Sequence, residues 1–231
     1  MLAWVAGFAD AFGYLVLDEI FTSHISGNSV AAGAEAGQGH WDIAARHAWP
    51  ILFFIVGFFI GLVLETACAR QQLRRRLSAA LALEMALLLI FFFFGCRWMH
   101  SADITPQEPG KFYFLVGTLA VAMGVQSASL RRVRGQSVHT AYVTGMLSHS
   151  MENAVQVLFA VYDRLRNRRP ERVKEAIKRT IFFAGLWLSF TAGAICGGIG
   201  ESHWNFSALL APLGALTLII VCDLIRPVHE T

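Results

Sequence analysis

Two polar, glycine-containing stretches interrupt an otherwise apolar sequence and carry its most reactive side chains. Residues 22–28 read Thr-Ser-His-Ile-Ser-Gly-Asn, and residues 139–145 read His-Thr-Ala-Tyr-Val-Thr-Gly. Hydroxyls and imidazoles in such breaks supply hydrogen bonds to a solute, and glycine lets backbone approach it closely. His24 and His139 also titrate near neutral pH, which suits proton exchange. Asp10 and Glu84 lie inside apolar runs. An ionised carboxylate at such a position costs about 2.5–3.5 kcal/mol on insertion scales, so each should face the bundle interior or water. The candidate solute contacts are therefore Asp10, Tyr14, Ser23, His24, Ser26, Gly27 and Asn28 around the first break. Around the second they are Gln126, Ser127, His139, Thr140, Thr144 and Gly145. Asp10, His24 and Glu84 are the candidates for coupling to a proton or cation. The plainer alternatives are a helix–helix anchor for Asp10, a hydrogen-bonded loop for the histidines and a packed, protonated carboxyl for Glu84.

Other chemistries fare worse. Ser23–His24 and Ser148–His149 are adjacent pairs, but a catalytic base must reach the hydroxyl and be oriented by a third group. Neither a nucleophile elbow nor an H-E-x-x-H motif is present, so no catalytic residue is assigned. The two histidines lack a third ligand at recognisable spacing. The four cysteines, Cys68, Cys96, Cys196 and Cys222, form no C-x-x-C pair, which argues against zinc and a disulfide framework. Buried small apolar residues is the expectation for them. No metal or cofactor is expected.

The elements that position these residues must be membrane helices. Hydrophobic residues make up 55% of the 231, charged residues only 15%, and there are 18 Phe and six Trp. That composition leaves too little polar surface for a soluble globule. A bilayer core of about 30 Å takes roughly 20 helical residues. The apolar runs 2–17, 49–68, 77–95, 112–130, 180–200 and 206–225 predict six spans in a single transmembrane domain, 1–231. The first is short, so it either extends toward residue 21 or begins upstream of Met1. The start carries no basic n-region or small-residue cleavage site of a signal peptide.

Charge placement sets the orientation. Sixteen Lys and Arg fall in loops on one side; Arg46, Arg97 and Lys111 fall on the other. Basic excess stays cytoplasmic, so both termini should be cytoplasmic. Trp41, Trp49, Trp98 and Trp204 mark the outer boundary. Residues 142–161 could cross, but a crossing would put the basic stretch 163–179 outside. His149, Glu152, Asn153 and Gln156 share one helical face, so this segment reads as an amphipathic or re-entrant helix. Residues 163–179 read as a basic cytoplasmic linker that touches anionic lipid or simply fixes topology. Nucleic acid is not an expected partner.

The sequence also repeats itself. Gly7-Phe8-Ala9-Asp10-Ala11 leads to the first break, and Gly124-Val125-Gln126-Ser127-Ala128 leads to the second. Each stretch begins in the first span of a three-span half, 1–96 or 111–226. Three is odd, so the second half must enter the membrane from the opposite face. That 3+3 inverted repeat, an all-α bundle with two interrupted segments, is the plan of many secondary transporters, whose sites lie near the midplane. Gly57-x-x-x-Gly61 and Gly193-x-x-x-Gly197 occupy equivalent spans and predict close packing between the halves or between subunits of a homo-oligomer.

These motifs resemble the YoaK-like bacterial membrane protein family, known as domain of unknown function 1275. The resemblance rests on residues 7–14 and 21–28, on Met123-Gly124-Val125-Gln126-Ser127-Ala128, on Arg131-Arg132-Val133-Arg134-Gly135 and on residues 140–145. It covers nearly the whole chain. Thr is usual in the family where Ser26 stands, a change that keeps the hydroxyl, and members tend to have a longer N-terminus. The resemblance implies a multi-spanning inner-membrane protein and brings no substrate or catalytic residue. The residues favour a carrier or exporter of a small solute. The alternatives are a membrane-embedded enzyme and a non-catalytic scaffold or sensor.

Overall fold

The computed structural model describes residues 1–71, 76–99, 109–129, 132–133, 136–137, 143–165 and 171–225. The chain forms α1 (Leu2–Val16), α2 (Ile25–Gly37), α3 (Trp41–Arg70), α4 (Arg76–Met99) and α5 (Pro109–Ser129). A two-residue antiparallel pair follows, β1 (Arg132–Val133) and β2 (Gln136–Ser137). The remainder is α6 (Val143–Leu165), α7 (Glu171–Trp204), a 3-10 turn (Asn205–Leu209) and α8 (Leu210–Ile225). Among the described residues, four runs are long and apolar enough to cross a membrane: Trp41–Arg70, Leu77–Trp98, Pro109–Ser129 and Ile177–Ile225. The last spans 49 residues, enough for two crossings of about 30 Å at 1.5 Å per residue. Asn205, in a left-handed conformation at φ 49°, stands where α7 gives way to the 3-10 turn. The apolar α1 is shorter, at 15 residues. α6 is not among these runs.

Much of 163–179, the basic stretch expected as a linker, is helical. α6 runs to Leu165 and α7 begins at Glu171, leaving only 166–170 outside the described residues. Glu171-Arg-Val-Lys-Glu-Ala-Ile-Lys-Arg179 is rich in helix formers, with acids and bases at i,i+3 and i,i+4 spacing. α7 therefore starts before the apolar run, which begins at Ile177.

The packing directions follow from named contacts. A Cβ on Gly7 would strike the Phe190 carbonyl of α7, and one on Gly193 would strike the Trp4 carbonyl of α1. Between α3 and α5 the same arrangement recurs: Gly57 abuts the Val121 carbonyl and Gly124 the Phe54 carbonyl. Even the offsets agree. Gly193 meets the residue three before Gly7, and Gly57 meets the residue three before Gly124. Gly197 meets Phe8, one after Gly7, and Gly61 meets Val125, one after Gly124. In both pairs position rises along both helices, so α1 lies parallel to α7 and α3 parallel to α5. The two G-x-x-x-G motifs thus serve close intramolecular packing, as their spacing predicts.

α4 runs antiparallel to α8, because Ser78 bonds Asp223 at one end and Thr217 meets Met85 at 3.6 Å further along. It also runs antiparallel to α5, joining Glu84 to Gln126 and Phe94 to Phe114. α2 packs on α3, and α6 packs on α7. Phe12 centres the core, its ring 5.4 Å from Phe206 and 6.4 Å from Phe91. Leu52, Ile55, Phe59 and Val63 of α3 and Leu147, Met151, Val155 and Leu158 of α6 face outward. An outward apolar stripe suits lipid. The cysteines depart from expectation: Cys68 is buried, but Cys196 and Cys222 are exposed.

Candidate functional site

α1 ends because Asp10, six residues before its last turn closes, captures the chain as it returns. Asp10 Oδ1 accepts from the Ser23 N–H at 3.0 Å, the Thr22 N–H at 3.3 Å and the Thr22 hydroxyl at 3.4 Å. His24 Nδ1 donates to Asp10 Oδ2 at 3.0 Å. Asp10, Thr22 and Ser23 are all buried. A carboxylate satisfied by two backbone donors, a hydroxyl and an imidazole is a strong polar clamp, and it fixes the hairpin from α1 into α2. Asp10 thus holds the loop between α1 and α2, not a second helix.

The pair has a pH signature. His24 lies between the helices, outside the spans. Its hydrogen bond to Asp10 lifts its pKa above the ordinary 6.5, partial burial opposes this, and the charge of Asp10 adds to the rise. Because the folded value exceeds the unfolded one, the pair's contribution to stability is full below the unfolded pKa. It is lost as pH rises through the folded pKa. Thermal unfolding scanned over pH should show the wild-type midpoint declining across that window and His24→Gln flat within it. Parallel curves for the two proteins would contradict the coupling.

Beside the clamp lies a cavity of about 410 Å³, lined by Tyr14, Asp18, Glu19, Ile20, Phe21, Gly27, Asn28, Ala31, Ile43, Arg46 and His47. The Tyr14 and Phe21 rings stack at 4.7 Å. Arg46 holds Asp18 at 3.6 Å and Asp42 at 3.9 Å. The cavity sits where α1 finishes and α3 begins, at one end of the bundle, not midway as the sequence led us to expect. The 15 residues of α1 advance the chain about 22 Å before the break, which carries the break toward a boundary.

The sequence-derived residues thus fall into separate groups. Asp10, Ser23 and His24 form the clamp, with the Ser23 hydroxyl buried and unpartnered among the described residues. Tyr14, Gly27 and Asn28 line the cavity, while Ser26 is exposed. Gln126 belongs elsewhere: its Nε2 donates to Glu84 Oε1 at 2.9 Å, between α5 and α4, with both residues buried. Ser127 is buried next to it in sequence, and its hydroxyl and Glu84 Oε2 have no partner among the described residues. His139 and Thr140 lie outside the described residues, as does the side chain of Thr144; Gly145 sits in the first turn of α6, half-buried. α2 and α6 pack on different helices, and among the described residues Gly145 does not line the cavity.

The structure adds Asp18, Glu19, Arg46 and His47. Two consecutive acids between helices, and a base pair of types just ahead of Trp49, were the available signals. Charge counting spent Arg46 on topology alone. Asp10 and His24 supply two parts of a hydrolytic triad, but the Ser23 hydroxyl bonds neither, so these three residues do not form the relay that activates a serine.

Comparison with known proteins agrees with the motifs. The family model described as "Protein of unknown function (DUF1275)" matches residues 1–222. The chain is similar to the UPF0700 transmembrane protein YoaK of Bacillus subtilis (strain 168), with 22% identity over 213 residues, covering 92% of this chain and 87% of that protein. No solved structure matches the chain. From its apolar helices and a family match along nearly its full length, the chain belongs to the DUF1275 family of transmembrane proteins.

Proposed function

We propose that the protein is a secondary carrier or exporter of a small solute in a bacterial inner membrane, not an enzyme. In this reading six spans form two three-helix halves of opposite direction, with both termini cytoplasmic. The observation that carries it is the reciprocal glycine packing. If α1 and α5 are equivalent, and α3 and α7 are equivalent, then α1 on α7 and α5 on α3 are the same contact made twice. The shared offsets at Gly7 and Gly124, and at Gly57 and Gly193, support that equivalence. So do α2 on α3 and α6 on α7, and the antiparallel meeting of α4 with α8. Inverted halves of this kind alternate access by rocking against one another. The cavity beside the α1–α2 break is the solute-binding half of the path.

Proteoliposomes loaded with a mixture of small metabolites test the carrier reading by mass spectrometry of the external medium. Protein-dependent, saturable release of a defined solute is expected, falling at least about tenfold in Asp10→Asn, since a misassembled break misplaces the solute. Release no greater than from empty liposomes would overturn the proposal.

A further inference from the structure

We infer that the cavity between α1, α2 and α3 binds a small organic ammonium ion bearing N–H donors. The inference deepens the carrier reading and rests on it for its purpose, though not for the binding itself.

Asn28 is fully buried, and its Nδ2 donates to the Phe21 carbonyl at 2.6 Å. That bond settles the amide's orientation, because the opposite flip would set two oxygens against each other. The atom left over is Oδ1, which has no partner among the described residues although Asn28 lines the cavity. A buried acceptor left open is costly, and it asks an occupant for a donor. An anion has none to give.

Charge points the same way. Asp18 and Glu19 line the cavity with His47 and the single guanidinium of Arg46, which Asp18 and, outside the lining, Asp42 already engage. The surplus is negative, which favours a cation. Asp18 and Glu19 adopt consecutive left-handed conformations, at φ 54° and 60°. Non-glycine residues are rarely held there, and here the arrangement keeps two carboxylates beside one cavity. The Tyr14 and Phe21 rings, stacked on each other at 4.7 Å, add an apolar wall for the organic part of the ion. A bare metal ion fits less well, since no group of three His, Cys, Asp or Glu converges among the described residues. The volume of about 410 Å³ lies in the range of small-molecule sites.

Calorimetry on the full chain in lipid nanodiscs tests this with ethanolamine, putrescine and tyramine, against tetramethylammonium, which has charge but no N–H, and acetate. At least one amine should bind saturably, with tetramethylammonium about tenfold weaker, the factor one good hydrogen bond supplies, and acetate silent. Asn28→Leu should weaken amine binding by about tenfold or more. Because that change also removes the Phe21 bond, Glu19→Gln serves as a second variant on the exposed turn, expected to weaken binding about three- to tenfold. Absence of binding by every amine overturns the inference, as does acetate or tetramethylammonium binding equal to the amines, or amine affinity unchanged in both variants. Amine binding without any flux would overturn the carrier alone. Flux of an anion that survives Glu19→Gln would keep the carrier and overturn the ammonium site.

Discussion

Gly7→Leu and Gly124→Leu should each unfold or disassemble the bundle, with a loss of about 3 kcal/mol or more in detergent unfolding. Overpacking a well-filled site typically costs about 1–3 kcal/mol, but here the obstacle is backbone. A Cβ at Gly7 meets the Phe190 carbonyl, and one at Gly124 meets the Phe54 carbonyl, so no rotamer provides an escape. Helix separation is the only relief, and it forfeits the contacts along the whole seam. Gly33 and Gly214 are the controls, since a Cβ there meets nothing within 4 Å. Leucine at either should be neutral or slightly stabilising, because glycine is the poorer helix former. The two damaging substitutions should also resemble each other in size, as equivalent positions of one contact made twice. Gly7→Leu as stable as Gly33→Leu would contradict the described seam.

Asp10→Ala should cost about 3–5 kcal/mol, the range for breaking a buried, charged and hydrogen-bonded group. Two backbone N–H groups, at Thr22 and Ser23, lose their acceptor together with the Thr22 hydroxyl and His24. Asp10→Asn should fall between wild type and alanine: its amide oxygen still accepts, but the charge that favours the His24 imidazolium is gone. Hydrogen exchange gives a local readout. The Thr22 and Ser23 amides should lose protection in Asp10→Ala while α4 amides near Leu88, which pack in the core, keep theirs if the fold survives. Unchanged protection at Thr22 and Ser23 would mean that the clamp does not hold the break.

How much of this was legible beforehand depended on whether a signal was local. The assignment to lipid came from composition, and the glycine seams from four-residue spacing. Asp10 stood out because a carboxylate in an apolar run demands partners, though not which ones; Thr22, Ser23 and His24 lie 12 to 14 residues away. The Gln126–Glu84 bond joins positions 42 apart on antiparallel helices, and nothing in either local sequence signals the other. Matching Gln126 and Ser127 to the first motif by repeat position placed them at a solute site, whereas tertiary packing gives Gln126 to Glu84. The exposure of Cys196 and Cys222 was hidden for a different reason: lipid is as apolar as the core, so residue type alone does not choose between them. Arg46 was read as a topological charge, and its partner Asp18 becomes visible only when the hairpin closes.

The opposed direction of the two halves is most directly tested by labelling their corresponding ends from known faces. With Cys68, Cys96, Cys196 and Cys222 replaced by alanine, single cysteines are placed at Asp18, just past α1, and at Gln136, just past α5. An impermeant maleimide added to right-side-out membrane vesicles should modify the Asp18→Cys protein at once, and the Gln136→Cys protein only after the vesicles are opened. Modification of both from the same face would show that the halves point alike, and would remove the basis for a carrier made of mirrored parts.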